Sequence, residues 1–89
     1  MKLSSKNRKT LEAIFENPLR SDVDWKKIES LLAALECELS EGRGSRIRVA
    51  LNDVRAVFHR PHPQKETDRG ALKSVRRFLK EAGITPSKK

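Results

Sequence analysis

The chain has 89 residues, a length that predicts a single domain with a modest core. Its 20 Lys and Arg residues outnumber its 12 Asp and Glu residues, which gives a formal net charge of +8 at pH 7. This balance favours an anionic partner such as nucleic acid, an anionic membrane surface or an acidic protein. No run is long and apolar enough to span a membrane, and the N-terminus lacks the apolar core of a signal peptide. We therefore expect a cytoplasmic protein.

Residue types that support metal, redox or base-stacking chemistry are scarce. Cys37 is the single cysteine, and neither histidine has a second histidine or cysteine at metal-binding spacing. The chain has one tryptophan, three phenylalanines and no tyrosine, which argues against an exposed stacking platform for single-stranded nucleic acid. We predict no metal site and no small-molecule cofactor.

Two amphipathic helices are predicted in the first part of the chain. The first runs from Ser4 or Ser5 to Glu16, and Asn17-Pro18 ends it because the residue before a proline is pushed out of helical space. The second follows an N-cap at Asp24 and carries the strongest helical periodicity in the sequence. Its apolar positions, which we interpret as core, are Trp25, Ile28, Leu31, Leu32 and Leu35.

Three short strands are expected next. Cys37–Glu41 reads as a strand, and Gly42 to Ser45 forms a tight turn after it. Two runs rich in valine, isoleucine and arginine follow, Ile47–Leu51 and Val54–Phe58. Because Asn52-Asp53 between them suits a two-residue turn, these runs predict a β-hairpin.

The register of that hairpin follows by counting outward from the turn. The pairs Leu51–Val54, Val49–Ala56 and Ile47–Phe58 fall on one apolar face. The pairs Ala50–Arg55, Arg48–Val57 and Arg46–His59 fall on the other face. The hairpin is therefore predicted to have a core side and a cationic side that includes a histidine.

A last helix closes the sequence. Arg60-Pro61-His62-Pro63 breaks the third strand, Gln64–Thr67 reads as a polar loop, and Thr67 or Asp68 caps a helix that runs to about Ala82. Gly83 takes the C-terminal cap position, and Thr85–Lys89 forms a short basic tail. One arc of the helix is apolar: Leu72, Val75, Phe78, Leu79 and Ala82. An adjoining arc is a basic stripe: Arg69, Lys73, Arg76, Arg77 and Lys80.

The predicted fold class is α+β. A three-stranded antiparallel sheet carries helices on one face, in the order α-α-β-β-β-α.

In this order, three features of the sequence resemble the HicA-type toxins of bacterial toxin–antitoxin systems. They are the Gly44-Ser45-Arg46 turn after a helix and a short strand, the Pro61-His62 segment that ends the apolar strand, and a final helix from Asp68 to Ile84. That helix contains Gly70, Leu72, Ser74 and Arg77 and ends in Ala82-Gly83-Ile84. The resemblance covers roughly Trp25 to Ile84.

The resemblance implies a domain organisation, a fold and an activity. Residues 1–22 would be an N-terminal helical extension and connector, 23–84 the HicA-like domain, and 85–89 a basic tail. The implied fold is similar to a double-stranded-RNA-binding domain, and the implied activity is a ribosome-independent mRNA endoribonuclease. The implied partners are mRNA and an acidic HicB-like antitoxin.

The chain departs from that family at one position. The family's usual cleavage residue is a histidine directly after the Gly-Ser turn, and Arg46 stands there in this sequence. RNA cleavage without a metal needs a base, an acid and cations near the phosphate, and histidine suits the first two roles. His59, expected opposite Arg46, and His62 are the candidate catalytic residues. An edge histidine contacting only solvent or phosphate, and a rigid loop histidine, are the alternatives.

The basic residues of both surfaces are the candidate RNA contacts, because arginine suits bidentate phosphate binding and double-stranded RNA is bound largely through phosphate and 2′-hydroxyl groups. They are Arg46, Arg48, Arg55, Lys73, Arg76, Arg77 and Lys80. Three functions remain open at this point. They are an RNA-cleaving toxin, a non-catalytic RNA- or DNA-binding module, and a domain that binds only an acidic protein.

Overall fold

The computed structural model describes residues 3–86 and confirms the predicted α+β architecture. The elements are α1 (Ser5–Ile14), β1 (Val23–Asp24), α2 (Trp25–Ala34), β2 (Glu38–Glu41), β3 (Arg46–Leu51), β4 (Val54–His59), β5 (Glu66–Thr67) and α3 (Arg69–Glu81). Strands β2, β3 and β4 form a three-stranded antiparallel sheet in that order, with the helices on one face. No helix within the described residues has the length and apolarity to cross a membrane. Of the predicted tail, residues 87–89 lie outside the described residues.

The hairpin of β3 and β4 has the predicted register at every position, from Leu51–Val54 at the turn to Arg46–His59 at the open end. Asn52 and Asp53 have φ values of 52° and 68°, so both central turn residues are left-handed. This is the geometry of a type I′ turn, whose twist matches that of the flanking strands. Two residues that tolerate the left-handed region are therefore enough to set the pairing.

The two faces of the sheet differ as the register requires. Ile47, Val49 and Phe58 are buried on the face that the helices cover. Side chains of the opposite parity in β3 and β4 point to the other face and are mostly exposed; we call this the outer sheet face. Its members in these two strands are Arg46, Arg48, Ala50, Arg55, Val57 and His59.

Strand β2 begins one residue later than predicted, at Glu38, and pairs with β3 from Glu38–Ala50 to Glu41–Ile47. Cys37 precedes it and is half-buried against the core. Burial raises the pKa of the Cys37 thiol to about 11, because the thiolate loses hydration. The group is therefore a protonated, weakly reactive thiol at neutral pH.

Helix α1 is part of the same core as the rest of the chain. Ser4 is its N-cap and accepts a hydrogen bond from the Asn7 amide at 3.1 Å. The helix ends at Ile14, two residues before the predicted Glu16. Leu11 and Ile14 are buried in one cluster with the apolar faces of α2 and α3.

Helices α2 and α3 are joined to the sheet through aromatic side chains. The Phe58 ring lies 6.1 Å from the Trp25 ring and 5.9 Å from the Phe78 ring, and both contacts are edge-to-face. Such pairs contribute about 0.5–1.5 kcal/mol beyond the area that they bury. The apolar arcs predicted for both helices are buried as expected.

Both predicted caps of α3 are present. Asp68 is the N-cap and accepts from the Ala71 amide at 2.7 Å. Gly83 has φ of 84°, and the Ile84 amide donates to the Leu79 carbonyl at 2.8 Å. This is a Schellman motif, which requires the left-handed conformation that glycine adopts without steric cost.

The prediction of a polar loop over Gln64–Thr67 is wrong in its second half. Glu66 and Thr67 form β5, which pairs with β1 through Val23–Thr67 and Asp24–Glu66. Two-residue strands have too little sequence to show a period, so their pairing depends on tertiary contacts. The small sheet joins the start of α2 to the start of α3.

The buried hydroxyl of Thr67 leads to a prediction about stability. It is fully buried, and its hydroxyl is the one buried side-chain oxygen or nitrogen within residues 3–86 that has no hydrogen-bond partner. Thr67→Val removes that group with little change of shape, so we expect the free energy of unfolding to rise by about 1 kcal/mol. Urea denaturation measures the change.

Thr10→Val is the matched control for this substitution. Thr10 is also buried, but its hydroxyl donates to the Lys6 carbonyl at 3.1 Å. Its replacement should leave stability unchanged or lower it. A loss of stability in Thr67→Val would mean that the Thr67 hydroxyl has a partner in solution.

Candidate nucleic-acid interface

The outer sheet face brings together four of the predicted site residues. Arg46 and Arg48 lie on β3, and Arg55 and His59 lie on β4, all with exposed side chains. Their proximity follows from strand alternation, since residues two apart on one strand and directly opposite residues on the next share a face. None of the three arginines takes part in an ion pair within the described part of the chain. The face is therefore a cationic surface open to an anionic ligand.

Arg46 and His59 are in direct contact at the open end of the hairpin. The Arg46 Nε–H donates to His59 Nε2 at 3.1 Å. The Arg46 guanidinium can only donate, so His59 Nε2 is the acceptor in this contact. Arg48 lies beside the pair and donates through Nη1 to the Glu41 carbonyl at 3.1 Å.

Arg60, the residue after β4, ties this end of the sheet to the helix layer. Its Nε and Nη2 donate to the two carboxylate oxygens of Glu29 on α2, at 2.6 and 3.4 Å. Its Nη1 and Nη2 donate to Glu41 at the end of β2, at 2.8 and 3.0 Å. The indole N–H of buried Trp25 donates to the same Glu29 carboxylate. One guanidinium thus holds two carboxylates from different layers.

These contacts shift the pKa values of the groups that make them. Hydrogen bonding and charge attraction from Arg60 lower the pKa of Glu41. The same contacts with Glu41 and Glu29 raise the pKa of Arg60, which stays cationic. The network was not foreseen from the sequence, because its three charged members are 12 to 31 positions apart and only the fold makes them neighbours.

The remaining sequence-predicted site residues lie elsewhere. Gly44 has φ of 59° and lies with Ser45 in the turn that leads into β3. The Ser45 carbonyl accepts from the Arg60 amide at 3.0 Å, which extends the β3–β4 ladder by one pair. His62 is exposed between Pro61 and Pro63, and no hydrogen bond of the described residues includes its side chain.

The basic stripe of α3 is divided by the structure. Lys73, Arg77 and Lys80 are exposed, and Arg77 forms an ion pair with Glu81 at 3.4 Å. Arg76 is instead half-buried against the end of α1.

Arg76 fastens α1 to α3. Its guanidinium donates to the Ile14 and Glu16 carbonyls at 2.9 and 2.6 Å and to Asn17 Oδ1 at 3.3 Å. The guanidinium also stacks over the Phe15 ring, 5.7 Å from its centroid. These contacts satisfy carbonyls at the C-terminal end of α1 that have no partner within that helix.

The two basic surfaces are on different sides of the molecule. Phe78 packs on Phe58 of the sheet, and at 100° per residue Lys73 lies about 140° around α3 from Phe78. The exposed lysines of α3 therefore point away from the outer sheet face, and the latter alone combines arginines with a histidine.

The Arg60 network predicts a pH dependence of stability. Because the folded-state pKa of Glu41 is lowered, its ion pair contributes stability above the ordinary carboxyl range, and this contribution is lost as pH falls through the folded pKa. Urea denaturation at about pH 6 and about pH 3 should show a smaller acid-induced loss of stability in Glu41→Gln than in the wild type. Glu38→Gln, on the same strand but outside any ion pair of the described residues, is the control and should behave as wild type. Equal acid-induced losses in all three proteins would contradict the prediction.

The chain matches a known protein family over about two thirds of its length. A family model described as the HicA toxin of bacterial toxin-antitoxin systems matches residues 25–84, the range over which the sequence showed its resemblance. Comparisons with curated proteins and with solved structures gave no match. The matched range begins at the first residue of α2 and includes the whole outer sheet face and the Arg60 network. It covers more than half of the chain, and the protein is therefore a member of the HicA toxin family.

Proposed function

We propose that this protein is a cytoplasmic toxin of a type II toxin–antitoxin system that binds mRNA on the outer sheet face and cleaves it without a metal ion. An acidic HicB-like antitoxin would neutralise it by covering that face. The observation that supports the proposal best is the 3.1 Å contact between Arg46 and His59. It puts an imidazole beside a guanidinium on an exposed cationic surface, in the register position opposite the residue that replaces the family's histidine.

The proposed reaction uses the two side chains in sequence. When an RNA phosphate pairs with the Arg46 guanidinium, His59 Nε2 loses its hydrogen-bond donor and becomes available as a base. It takes the proton of the 2′-hydroxyl, and the 2′-oxygen attacks the adjacent phosphorus while the bond to the 5′-oxygen breaks. Water from the open face protonates the leaving oxygen. The products are a 2′,3′-cyclic phosphate and a 5′-hydroxyl.

Arg46 would also stabilise the charge that develops on the phosphorane oxygens. Arg48 and Arg55 extend the cationic surface along the sheet and would hold the neighbouring phosphates. The Arg60 network holds the end of β4 against α2 and β2, so that His59 stays in register with Arg46. A rigid support of this kind matters because small misplacements of a base cost large factors in rate.

A second function is favoured by the same position. Arg46 stands where the family has its cleavage histidine, so the domain could retain RNA or DNA binding and lack cleavage altogether. In that case Arg46 and His59 would together contact phosphate, and the toxin would act by occupying RNA.

Substitution of the two histidines separates these functions. We expect His59→Ala to lower the rate of RNA cleavage by about 10²–10⁴-fold, the usual contribution of a general base. His62→Ala, in the exposed proline segment, should leave the rate within about threefold, since no hydrogen bond joins it to the pair. The measurement is single-turnover cleavage of a defined RNA, with the cyclic phosphate product identified, beside growth arrest on induction in bacteria.

RNA affinity measured in parallel is the control for this experiment. Both variants should bind RNA within a few-fold of wild type, because neither removes an arginine. Binding without cleavage in the wild-type protein would establish the second function. Cleavage that persists in His59→Ala would remove this histidine from the mechanism.

The location of the RNA gives a separate prediction. Removal of one side-chain charge that binds a phosphate should reduce the slope of log affinity against log salt by about one. We expect this reduction for Arg48→Gln and for Arg55→Gln on the outer sheet face. Lys73→Gln and Lys80→Gln on α3 are matched single-charge controls and should reduce the slope less, since they point away from His59. The reverse order would place the RNA on α3.

A further inference from the structure

Strand β4 has a free edge beside the outer sheet face. We propose that an extended acidic segment of the antitoxin binds there as an added β-strand. This inference rests on the proposed function for the identity of the partner. Strand β4 is at the border of the three-stranded sheet, and within residues 3–86 it pairs only with β3. Its other side therefore has main-chain groups available for a new neighbour.

The ladder fixes which groups these are. The Arg60 amide donates to the Ser45 carbonyl at 3.0 Å, so residues 45 and 60 form a hydrogen-bonded pair. Hydrogen-bonded and non-hydrogen-bonded pairs alternate in an antiparallel ladder, which makes 47–58, 49–56 and 51–54 hydrogen-bonded as well. The amides and carbonyls of Arg55, Val57 and His59 consequently point away from β3. None of them has a hydrogen-bond partner within residues 3–86.

These three residues also carry exposed side chains. Within residues 3–86, two large hydrophobic residues are exposed, and Val57, at 55%, is more exposed than Leu39, at 38%. Val57 lies between Arg55 and His59 on β4. An added strand would place alternate side chains next to these three. The complementary pattern is an acidic residue, an apolar residue and an acidic residue at every second position.

The opposite edge of the sheet is less suited to this role. Strand β2 has four residues, two of which are glutamates, and the Gly42 amide bonds to the Arg46 carbonyl at 2.9 Å. By the same alternation, its outward main-chain groups belong to Leu39 and Glu41. The Glu41 carbonyl already accepts from Arg48. Strand β4 thus offers the longer and less occupied edge.

Charge selects an acidic partner over a second copy of this chain. Antiparallel pairing of two β4 strands about Val57 would put Arg55 of each copy opposite His59 of the other, within two chains that each carry a net charge of +8. Arg46, which contacts His59, would bring its positive charge towards Arg55 of the other copy, and like charges weaken strand pairing. Carboxylates at those positions would instead meet Arg55 and the Arg46–His59 pair.

Strand addition at this edge would regulate the proposed site directly. The new strand would lie next to His59, and an acidic side chain there would compete with RNA phosphate for Arg46. The antitoxin would then block the base and the cationic surface with one extended segment, through main-chain hydrogen bonds that do not depend on the sequence of the toxin's edge.

The test uses a synthetic β-hairpin peptide closed by an Asn-Gly turn, one strand of which reads Glu-Thr-Val-Thr-Glu. Its affinity for the full chain is measured by calorimetry, and its location by amide exchange at Arg55, Val57 and His59. Val57→Pro removes one outward amide without breaking the β3 ladder, and should weaken binding about tenfold or more. Val57→Thr keeps the amide and should bind within about threefold of wild type. Thermal unfolding verifies that both variants are folded.

The outcomes separate this inference from the proposed function. Slower amide exchange at the three residues, with weaker binding in Val57→Pro alone, supports strand addition whether or not the protein cleaves RNA. If the protein cleaves RNA but does not bind the peptide, the inference is overturned. It is also overturned if the protein binds equally well to a peptide in which lysines replace the glutamates. A wild-type dimer that Val57→Pro converts to a monomer also overturns it, because a second copy would then occupy the edge.

Discussion

The register of the β3–β4 hairpin is the constraint on which the rest of this structure depends. Asn52 and Asp53 both adopt left-handed conformations, and the Asn52 side chain donates to the Ala82 carbonyl at 2.8 Å, which fastens the turn to the end of α3. A slip of one residue would turn every side chain of a strand to the opposite face. The buried Phe58 and the exposed His59 would exchange environments, and both the core and the cationic surface would disappear.

The two sides of the sheet have different surroundings. All the large apolar side chains of β3 and β4 that contact helices lie on one side, where Phe58 meets Trp25 and Phe78. The other side carries three exposed arginines on β3 and β4, Arg46, Arg48 and Arg55, which water and anions solvate. Arg60 follows His59 in sequence and binds Glu29 on α2 and Glu41 on β2, so it connects the sheet to the helices. The candidate catalytic histidine is therefore one residue from an arginine that joins the sheet to the helix layer.

The basic residues of this chain have different tasks even though they look alike in sequence. Arg60 and Arg76 are used within the fold, the first between sheet and helix and the second between α1 and α3. Arg46 and Arg48 make lighter contacts on the outer sheet face and stay exposed. Because a guanidinium satisfied by several oxygens is a poor phosphate ligand, net charge alone overstates the surface that is open to an anionic ligand.

The sequence by itself determined the local structure of this protein and the membership of its family. Helix caps at Ser4, Asp24 and Asp68, the hairpin register and the apolar arcs depend on neighbours a few positions apart, so periodicity and turn chemistry were enough to predict them. Tertiary structure alone decided the pairing of β1 with β5, the carboxylates around Arg60 and the use of Arg76. Each of these joins residues distant in sequence, and nothing in a local pattern records which distant group will satisfy a charge or a free strand.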